Sequence, residues 1–169
     1  MLNKFTMVEW GECRFLITDS PKYSEELDYA KRLKKLHVRK LVRTCELTYS
    51  EQVIRDAGIE IYVGAMQEMY FNDGATPPRS MIQQWFSIVN ENMKSEEQSF
   101  VAVHCMAGLG RAPLLVALAL IEAGADYLTA VSLIREKRRG AINGHQIEYL
   151  RSYRRMNAFK HSACCSLLC

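Results

Sequence analysis

The sequence predicts an α/β protein with a central, mostly parallel twisted sheet flanked by helices. Turn and capping residues divide the chain into strands and helices that alternate regularly, and no repeat, low-complexity run or Gly/Ser linker interrupts them. The chain has 169 residues and is 49% hydrophobic, which is the size and composition of one packed domain. We therefore expect a single domain over residues 1–160 and a flexible, cysteine-containing tail over residues 161–169.

The first third of the chain is predicted to open the sheet with a hairpin, formed by strands at 5–8 and 14–18. Ser20 and Pro21 offer a cap and a first-turn proline for a helix that reaches about Leu36. The inner face of this helix is expected to carry Leu27, Ala30 and Leu33. The elements expected after it are a strand at 38–45, a short helix at 49–57 closed by Gly58, and a strand at 59–63.

The remaining elements surround one short strand that carries no charge, Phe100–Val103. A helix at 80–93 precedes it, with inward-facing Ile82, Trp85, Phe86 and Val89. The strand leads directly into His104–Arg111 and then into a helix from about Ala112. Two further helices are expected, at 128–137 behind Asp126 as N-cap and at 143–159.

The segment after this strand has the composition of an anion-binding loop. Cys105 is followed after five residues by Arg111, just before a helix begins. Gly108 and Gly110 tolerate positive φ and close backbone approach, and the helix N-terminus adds partial positive charge. Such a loop wraps its N–H groups around a tetrahedral anion such as phosphate. The predicted phosphate-binding residues are Met106, Ala107, Gly108, Leu109, Gly110 and Arg111.

The spacing also suits nucleophilic chemistry. The positive field favours thiolate over thiol, so we expect Cys105 to attack phosphorus and form a phosphocysteine. Arg111 supplies two parallel donors to the equatorial oxygens, which lysine cannot match. His104 has two equally supported interpretations, as a residue that orients and tunes the loop or as a packed histidine satisfied by backbone.

A proton must reach the leaving oxygen, and Asp73 is the candidate general acid and base. It lies in Phe71–Pro78, upstream of the nucleophile. The residues alone leave two interpretations open, because Asn-Asp-Gly is also a good turn.

The stretch His104 to Pro113, HCMAGLGRAP, resembles the signature of the phosphatase of regenerating liver family, a prenylated branch of the dual-specificity protein tyrosine phosphatases. The likeness spans about residues 14–155 and implies the fold of those enzymes and protein-tyrosine-phosphatase activity. It implies no metal and no other cofactor. Supporting segments in the same order are Val42–Glu46, Asn72–Ala75, Leu115–Glu122 and Lys137–Ala141.

The resemblance also implies roles for three residues outside the loop's centre. Asp73 matches the acid position, although Thr76 is an extra residue before the prolines. Cys45 matches a cysteine that forms a reversible disulfide with the nucleophile, here Cys105; a small buried hydrophobe is the alternative. Ala112 replaces the serine or threonine of the wider superfamily, which predicts slow turnover of the phosphocysteine.

Charge and the terminal cysteines suggest a membrane surface. Net charge is +3, but residues 135–161 alone contribute +6, from eight Lys or Arg against two Glu. A basic patch plus a lipid chain is the arrangement that stable anchoring needs. Relatives are prenylated at the fourth residue from the end, which here is Ser166, so Cys164 and Cys165 are candidates for lipidation in a displaced box or by palmitoylation. The chain is expected on the cytoplasmic face of plasma or endosomal membranes.

The remaining composition narrows the function. The six cysteines fit no disulfide framework, because three are scattered and three crowd into the last six residues. No Cys or His pair has the spacing of a structural zinc site. Neither an export signal nor a membrane-spanning stretch is evident. Substrates are expected to be phosphoproteins carrying phosphotyrosine, or phosphoinositides, with no nucleic acid. The alternative is a binding module in which the loop docks a magnesium transporter with cystathionine-β-synthase-type domains, a partner implied by the resemblance.

Overall fold

The computed structural model of the protein describes residues 5–62, 71–95, 97 and 99–159. Strands and helices alternate along this part of the chain, which confirms the predicted α/β class. The strands are β1 (Thr6–Trp10), β2 (Cys13–Asp19), β3 (Val38–Arg43), β4 (Glu60–Tyr62) and β5 (Phe100–Cys105). The helices are α1 (Glu26–Lys35), α2 (Glu51–Asp56), α3 (Arg79–Lys94), α4 (Arg111–Glu122), α5 (Tyr127–Lys137) and α6 (Gly144–Ser152).

The strands form one sheet in the order β1-β2-β5-β3-β4. β1 pairs antiparallel with β2, as the predicted hairpin requires, and every other pair is parallel. Asp19 lies opposite Cys105, and Arg43 lies opposite His104, so β2, β5 and β3 end at the same edge. Ligands of such sheets bind outside the carboxyl ends of the strands, and Cys105 lies at that edge.

Helices cover both faces of the sheet. One core cluster contains side chains of α1 and α2, and the other contains those of α3, α4, α5 and α6. α4 is the most enclosed, since each of its residues is buried. Neither α4 nor any other helix in the described part of the chain is long and apolar enough to cross a membrane. Because α4 is fixed by packing along its whole length, the loop that precedes it has a fixed end at Arg111.

The prediction for α1 is wrong at its start and in part of its inner face. The helix begins at Glu26, several residues after the predicted cap, and Leu27 is 56% exposed whereas Ala30 and Leu33 are buried. The residues before it are used elsewhere. The backbone N–H of Ser20 donates to the carbonyl of Met106 at 3.1 Å, which ties this stretch to the loop after β5.

The prediction for α6 is too long. The helix ends at Ser152, and residues 153–159, the C-terminal segment, are not helical but bind Glu122 at the end of α4. The carboxylate of Glu122, which is fully buried, accepts the backbone N–H of Met156 at 3.0 Å and that of Ala158 at 2.5 Å. A buried carboxylate needs such donors, and a helical segment would not offer these N–H groups to it.

Candidate active site

The loop from Cys105 to Arg111, the phosphate loop, joins the end of β5 to the start of α4. Cys105 is 2% exposed and Arg111 is 4% exposed, so both functional side chains lie inside the protein rather than on its surface. Gly108 has φ of +65°, and a Cβ there would overlap the guanidinium of Arg138 and lie 2.6 Å from the carbonyl oxygen of Thr18. Only glycine fits this position.

Four successive carbonyls of the phosphate loop are bound from outside the loop. The bonds run from Ser20 N to Met106 O (3.1 Å), Arg138 Nη2 to Ala107 O (3.1 Å), Arg138 Nε to Gly108 O (2.6 Å) and Ile142 N to Leu109 O (2.7 Å). In a trans peptide the C=O and the next N–H point in opposite directions. The N–H groups of residues 107–110 are therefore directed toward the concave side, where an anion would bind.

Arg138 corrects the predicted basic patch. The basic residues between 135 and 161 are expected to form a surface patch, but Arg138, which lies between Lys137 and Arg139, is 2% exposed and also donates to the hydroxyl of Thr6 at 3.1 Å. Its guanidinium is committed to the phosphate loop. Nothing in the local sequence distinguishes it from its two basic neighbours, which are exposed.

The acid loop, residues 71–78, lies against the phosphate loop. Asp73 Oδ1 is 3.8 Å from Arg111 Nε, and Arg111 Nη1 donates to the carbonyl of Phe71 at 3.4 Å. The Asp73 side chain is 77% exposed, so it faces the opening of the site. A Cβ at Gly110 would lie 2.9 Å from Asp73 Oδ1, which makes glycine necessary for this close approach. The structure thus brings Cys105, Arg111 and Asp73 to one place.

Two side chains that the sequence did not single out hold the acid loop. Asn143 Nδ2 donates to the carbonyl of Gly74 at 3.2 Å, and Gln146 Nε2 donates to that of Ala75 at 3.1 Å. The same two residues form the capping box of α6. A capping box is visible in the sequence as Asn followed three residues later by Gln, but its contact with a distant loop is not.

His104 lies on the α1–α2 side of the sheet and is fully buried. Its Nε2 is 2.7 Å from the hydroxyl of Tyr49, and its Nδ1 is 3.9 Å from Sγ of Cys45. Burial, helped by the positive charges of Arg43 and Arg111, lowers the pKa of His104 to about 3. The imidazole is therefore neutral, and its contacts favour the packing interpretation over direct action on the loop.

Cys45 is also buried, two residues beyond β3. Burial, together with the neighbouring Cys105, raises the pKa of the Cys45 thiol to about 11. Cys45 and Cys105 are free thiols in this structure. Both residues lie at the same edge of the sheet, because β3 and β5 are parallel and Cys105 ends β5.

Other predicted sites have the following outcomes. Ala112 is fully buried in the first turn of α4. Within the described ranges, no group of three or more His, Cys, Asp or Glu side chains is arranged to hold a metal ion. The lipidation candidates Cys164 and Cys165 lie outside the described residues.

Comparison with known proteins gives concordant matches. The family model "Polymorphic toxin system, DSP-PTPase phosphatase" matches residues 20–125. The probable protein tyrosine phosphatase type IVA A of Dictyostelium discoideum is 43% identical over 162 residues, covering 96% of this chain and 93% of its own. Protein tyrosine phosphatase type IVA 3 of mouse is 44% identical over 147 residues, covering 87% of this chain and 82% of its own.

Solved structures agree with these relatives. A putative protein tyrosine phosphatase from Leishmania major superimposes with a TM-score of 0.78 at 36% identity, covering 89% of this chain and 99% of its own. PTPMT1 in complex with PI(5)P shares the fold, with a TM-score of 0.66 at 19% identity over 83% of this chain and 89% of its own.

The fold and the loop define a cysteine-dependent protein tyrosine phosphatase of the dual-specificity type. The relatives narrow the class further, because their similarity extends over nearly the whole chain. The chain belongs to the protein tyrosine phosphatase type IVA family, which confirms the resemblance found in its sequence.

Proposed function

We propose that this protein hydrolyses tyrosine phosphomonoesters of phosphoproteins through a phosphocysteine on Cys105. The observation that carries the proposal is the meeting of Asp73 and Arg111, 3.8 Å apart, beside a loop whose N–H groups face inward. Arg111 and the loop N–H groups hold the phosphoryl oxygens while Cys105 attacks in line. Asp73 protonates the leaving oxygen and afterwards deprotonates the water that hydrolyses phosphocysteine.

Substrate trapping tests these roles. Cys105→Ser and Asp73→Ala should abolish or strongly reduce hydrolysis of phosphotyrosyl peptides while the phosphopeptide remains bound. Arg111→Lys should lose both turnover and binding, because one ammonium cannot replace two parallel donors. The exposed Asp28, on α1, gives a control as Asp28→Ala, which should retain full activity. Full turnover by Cys105→Ser would refute the assignment of the nucleophile.

We also propose that Ala112 makes breakdown of phosphocysteine slow, because no hydroxyl assists the departing thiolate. Rapid-mixing experiments should show a burst of leaving group followed by a slow steady rate. Ala112→Ser should raise the steady rate without raising the burst rate. Equal steady rates in the two proteins would count against this role, provided that both show the same burst amplitude.

A reversible Cys45–Cys105 disulfide is the proposed redox control. Peroxide takes two electrons from the Cys105 thiolate and gives a sulfenic acid, and the Cys45 sulfur then displaces hydroxide to form the disulfide. Burial, with the neighbouring Cys105, raises the pKa of Cys45 to about 11, so this thiol is protonated at neutral pH and its proton leaves with the displaced hydroxide as water. Mass spectrometry after peroxide should find the disulfide, and Cys45→Ser should lose activity irreversibly. Recovery of that variant with a thiol reductant to the wild-type level would refute the protective role.

Membrane association is proposed from the basic residues and the terminal cysteines, which lie outside the described residues. It would place the enzyme on a cytoplasmic membrane face, where phosphoinositides are a further substrate class; PTPMT1, a fold relative, has been solved with PI(5)P. Mass spectrometry of the tail from native cells should find lipid on Cys164 or Cys165. Unmodified cysteines together with an entirely soluble enzyme would refute the proposal.

The alternative function, a module that docks a magnesium transporter, has no observation in its favour. The relatives are named as phosphatases, and the phosphate loop has the inward N–H groups that catalysis needs. Hydrolysis is therefore the function that the site supports best.

A further inference from the structure

We infer that the connection between α5 and α6, residues 138–143, positions both catalytic loops at once. One of its ends binds the outer side of the phosphate loop, and the other binds the acid loop. Arg138 and Asn143 are accordingly positioning residues that act through Cys105 and Asp73. The inference rests on the proposed function, and its tests below include measurements that need no turnover.

Arg138 is the residue of the connection that holds the phosphate loop. Its Nε and Nη2 bind two adjacent carbonyls of the phosphate loop, at 2.6 Å to Gly108 and 3.1 Å to Ala107. Its Nη1 binds Thr6 at 3.1 Å, so the buried guanidinium is anchored on the sheet as well. These bonds hold two peptide planes with their N–H groups toward the anion. A lysine offers one point charge and cannot bind both carbonyls in this geometry.

Arg138 also places a second positive charge near the nucleophile. Burial lowers the pKa of Arg138, while the negative charges of Asp19 and Cys105 oppose that shift. An arginine remains protonated under such conditions. Arg138 therefore adds a second cation to the site beside Arg111.

Asn143 is the residue of the connection that holds the acid loop. Its Nδ2 donates to Gly74 O at 3.2 Å, next to the proposed general acid Asp73. Its Oδ1 separately accepts the N–H of Gln146 at 2.8 Å, which caps α6. The two functions reside on different atoms of one side chain. A serine at this position keeps a capping oxygen but is too short to reach the carbonyl, so it removes only the contact with the acid loop.

Arg138 and Asn143 are joined by a turn that is held by hydrogen bonds. Arg135, on α5, donates to the carbonyls of Ala141 and Ile142 at 2.9 and 2.7 Å. Ile142 has φ of +64°, a left-handed conformation that costs energy for a β-branched residue. In this conformation its N–H binds Leu109 O at 2.7 Å. A displacement of either catalytic loop is therefore resisted by the same short segment.

The contact of Arg138 with the phosphate loop is tested with orthovanadate, a stable phosphate mimic. Arg138→Met should weaken vanadate inhibition or binding by about tenfold or more. Arg138→Lys should weaken it comparably, because one ammonium cannot bind both carbonyls. The neighbouring exposed Arg139 supplies the control Arg139→Met, which should leave the vanadate affinity unchanged.

The contact of Asn143 with the acid loop is tested with aryl phosphates whose leaving groups differ in basicity. Asn143→Ser should slow the hydrolysis of phenyl phosphate by about tenfold, because its basic leaving group needs a proton donor. The hydrolysis of a nitrophenyl phosphate, whose leaving group needs little protonation, should slow much less. In an Asp73→Ala background the same substitution should have no further effect on this ratio. Asp126→Ser, at the N-cap of α5, is a matched control that alters a cap away from both loops and should leave the ratio unchanged.

Two results would overturn the inference. One is vanadate affinity within twofold of wild type in a folded Arg138→Lys protein. The other is an equal effect of Asn143→Ser with and without the Asp73 carboxylate. Vanadate binding remains measurable if the wild type fails to hydrolyse phosphotyrosine, so failure of the proposed function would be recognised separately.

Discussion

Replacing His104 by glutamine should make the folded state less sensitive to acid. The imidazole is fully buried, and burial, with Arg43 and Arg111 acting in the same direction, lowers its pKa from an ordinary 6.5 to about 3. Between these values the unfolded chain binds a proton that the folded chain excludes. Stability contributed by neutral His104 is therefore intact above pH 6.5 and is lost progressively as the pH falls toward 3.

The size of this effect follows from the two pKa values. At pH 5 the unfolded imidazole is almost wholly protonated and the folded one almost wholly neutral, which shifts the equilibrium about 30-fold toward unfolding relative to pH 7.5. This is about 2 kcal/mol, or about 4–8 °C in Tm for a chain of this length. Glutamine can still bond to the hydroxyl of Tyr49 but does not titrate, so its variant should lack this component.

Urea unfolding at pH 7.5 and pH 5, for wild type and variant, measures the difference directly. The variant is expected to be less stable at pH 7.5, because a buried ring is lost, but its decline on acidification should be smaller by about 2 kcal/mol. His145, which is exposed, provides the control His145→Gln with an unchanged decline. Equal declines in wild type and His104→Gln would refute a neutral, buried imidazole.

Two further substitutions test the packing around the site. Gly108→Ala should lower kcat/KM by tenfold or more, because its Cβ would overlap the guanidinium of Arg138 at a positive φ. Steady-state kinetics would show this loss, and thermal unfolding would show a lowered Tm. Glu122→Gln should destabilise the fold by about 1–3 kcal/mol in urea unfolding, because the C-terminal segment loses its charged acceptor, whereas exposed Glu148→Gln should have little effect.

The parts of the site that are local in sequence could be predicted from it. The phosphate loop is local: an uncharged strand, a cysteine, two glycines, an arginine and an apolar helix follow one another within about twenty residues. The alternation of β3, α2 and β4 was predictable for the same reason. The prediction of Asp73 as the general acid needed the family resemblance as well. The sequence around Asp73 is equally that of a turn, and its contact with Arg111 joins segments that are distant in the chain.

Contacts that depend on distant residues could not be predicted. Arg138 lies among exposed basic residues, and its burial depends on the carbonyls of Ala107 and Gly108 thirty residues away. The prediction of where α6 ends was wrong for the same reason. Its periodicity continues past Ser152, but buried Glu122, on another helix, takes the N–H groups that a longer helix would use internally. Helical propensity is a weak preference beside a buried carboxylate.

The charges near the C-terminus show how burial changes a conclusion drawn from composition. Eight basic residues lie between residues 135 and 161. Four of them donate to backbone carbonyls, namely Arg135 to Ala141 and Ile142, Lys137 to Met7, Arg138 to the phosphate loop and Arg155 to Glu122. Of these four side chains only that of Arg138 is buried.

An exposed basic residue near an anionic membrane contributes about 1 kcal/mol, and a guanidinium committed to internal carbonyls cannot make the same close contact. Because Arg138 is buried, the surface patch is weaker than its sequence suggests by about 1 kcal/mol. In the proposed membrane attachment the exposed basic residues then act together with a lipid on the terminal cysteines, because a single lipid chain alone gives only marginal, reversible binding.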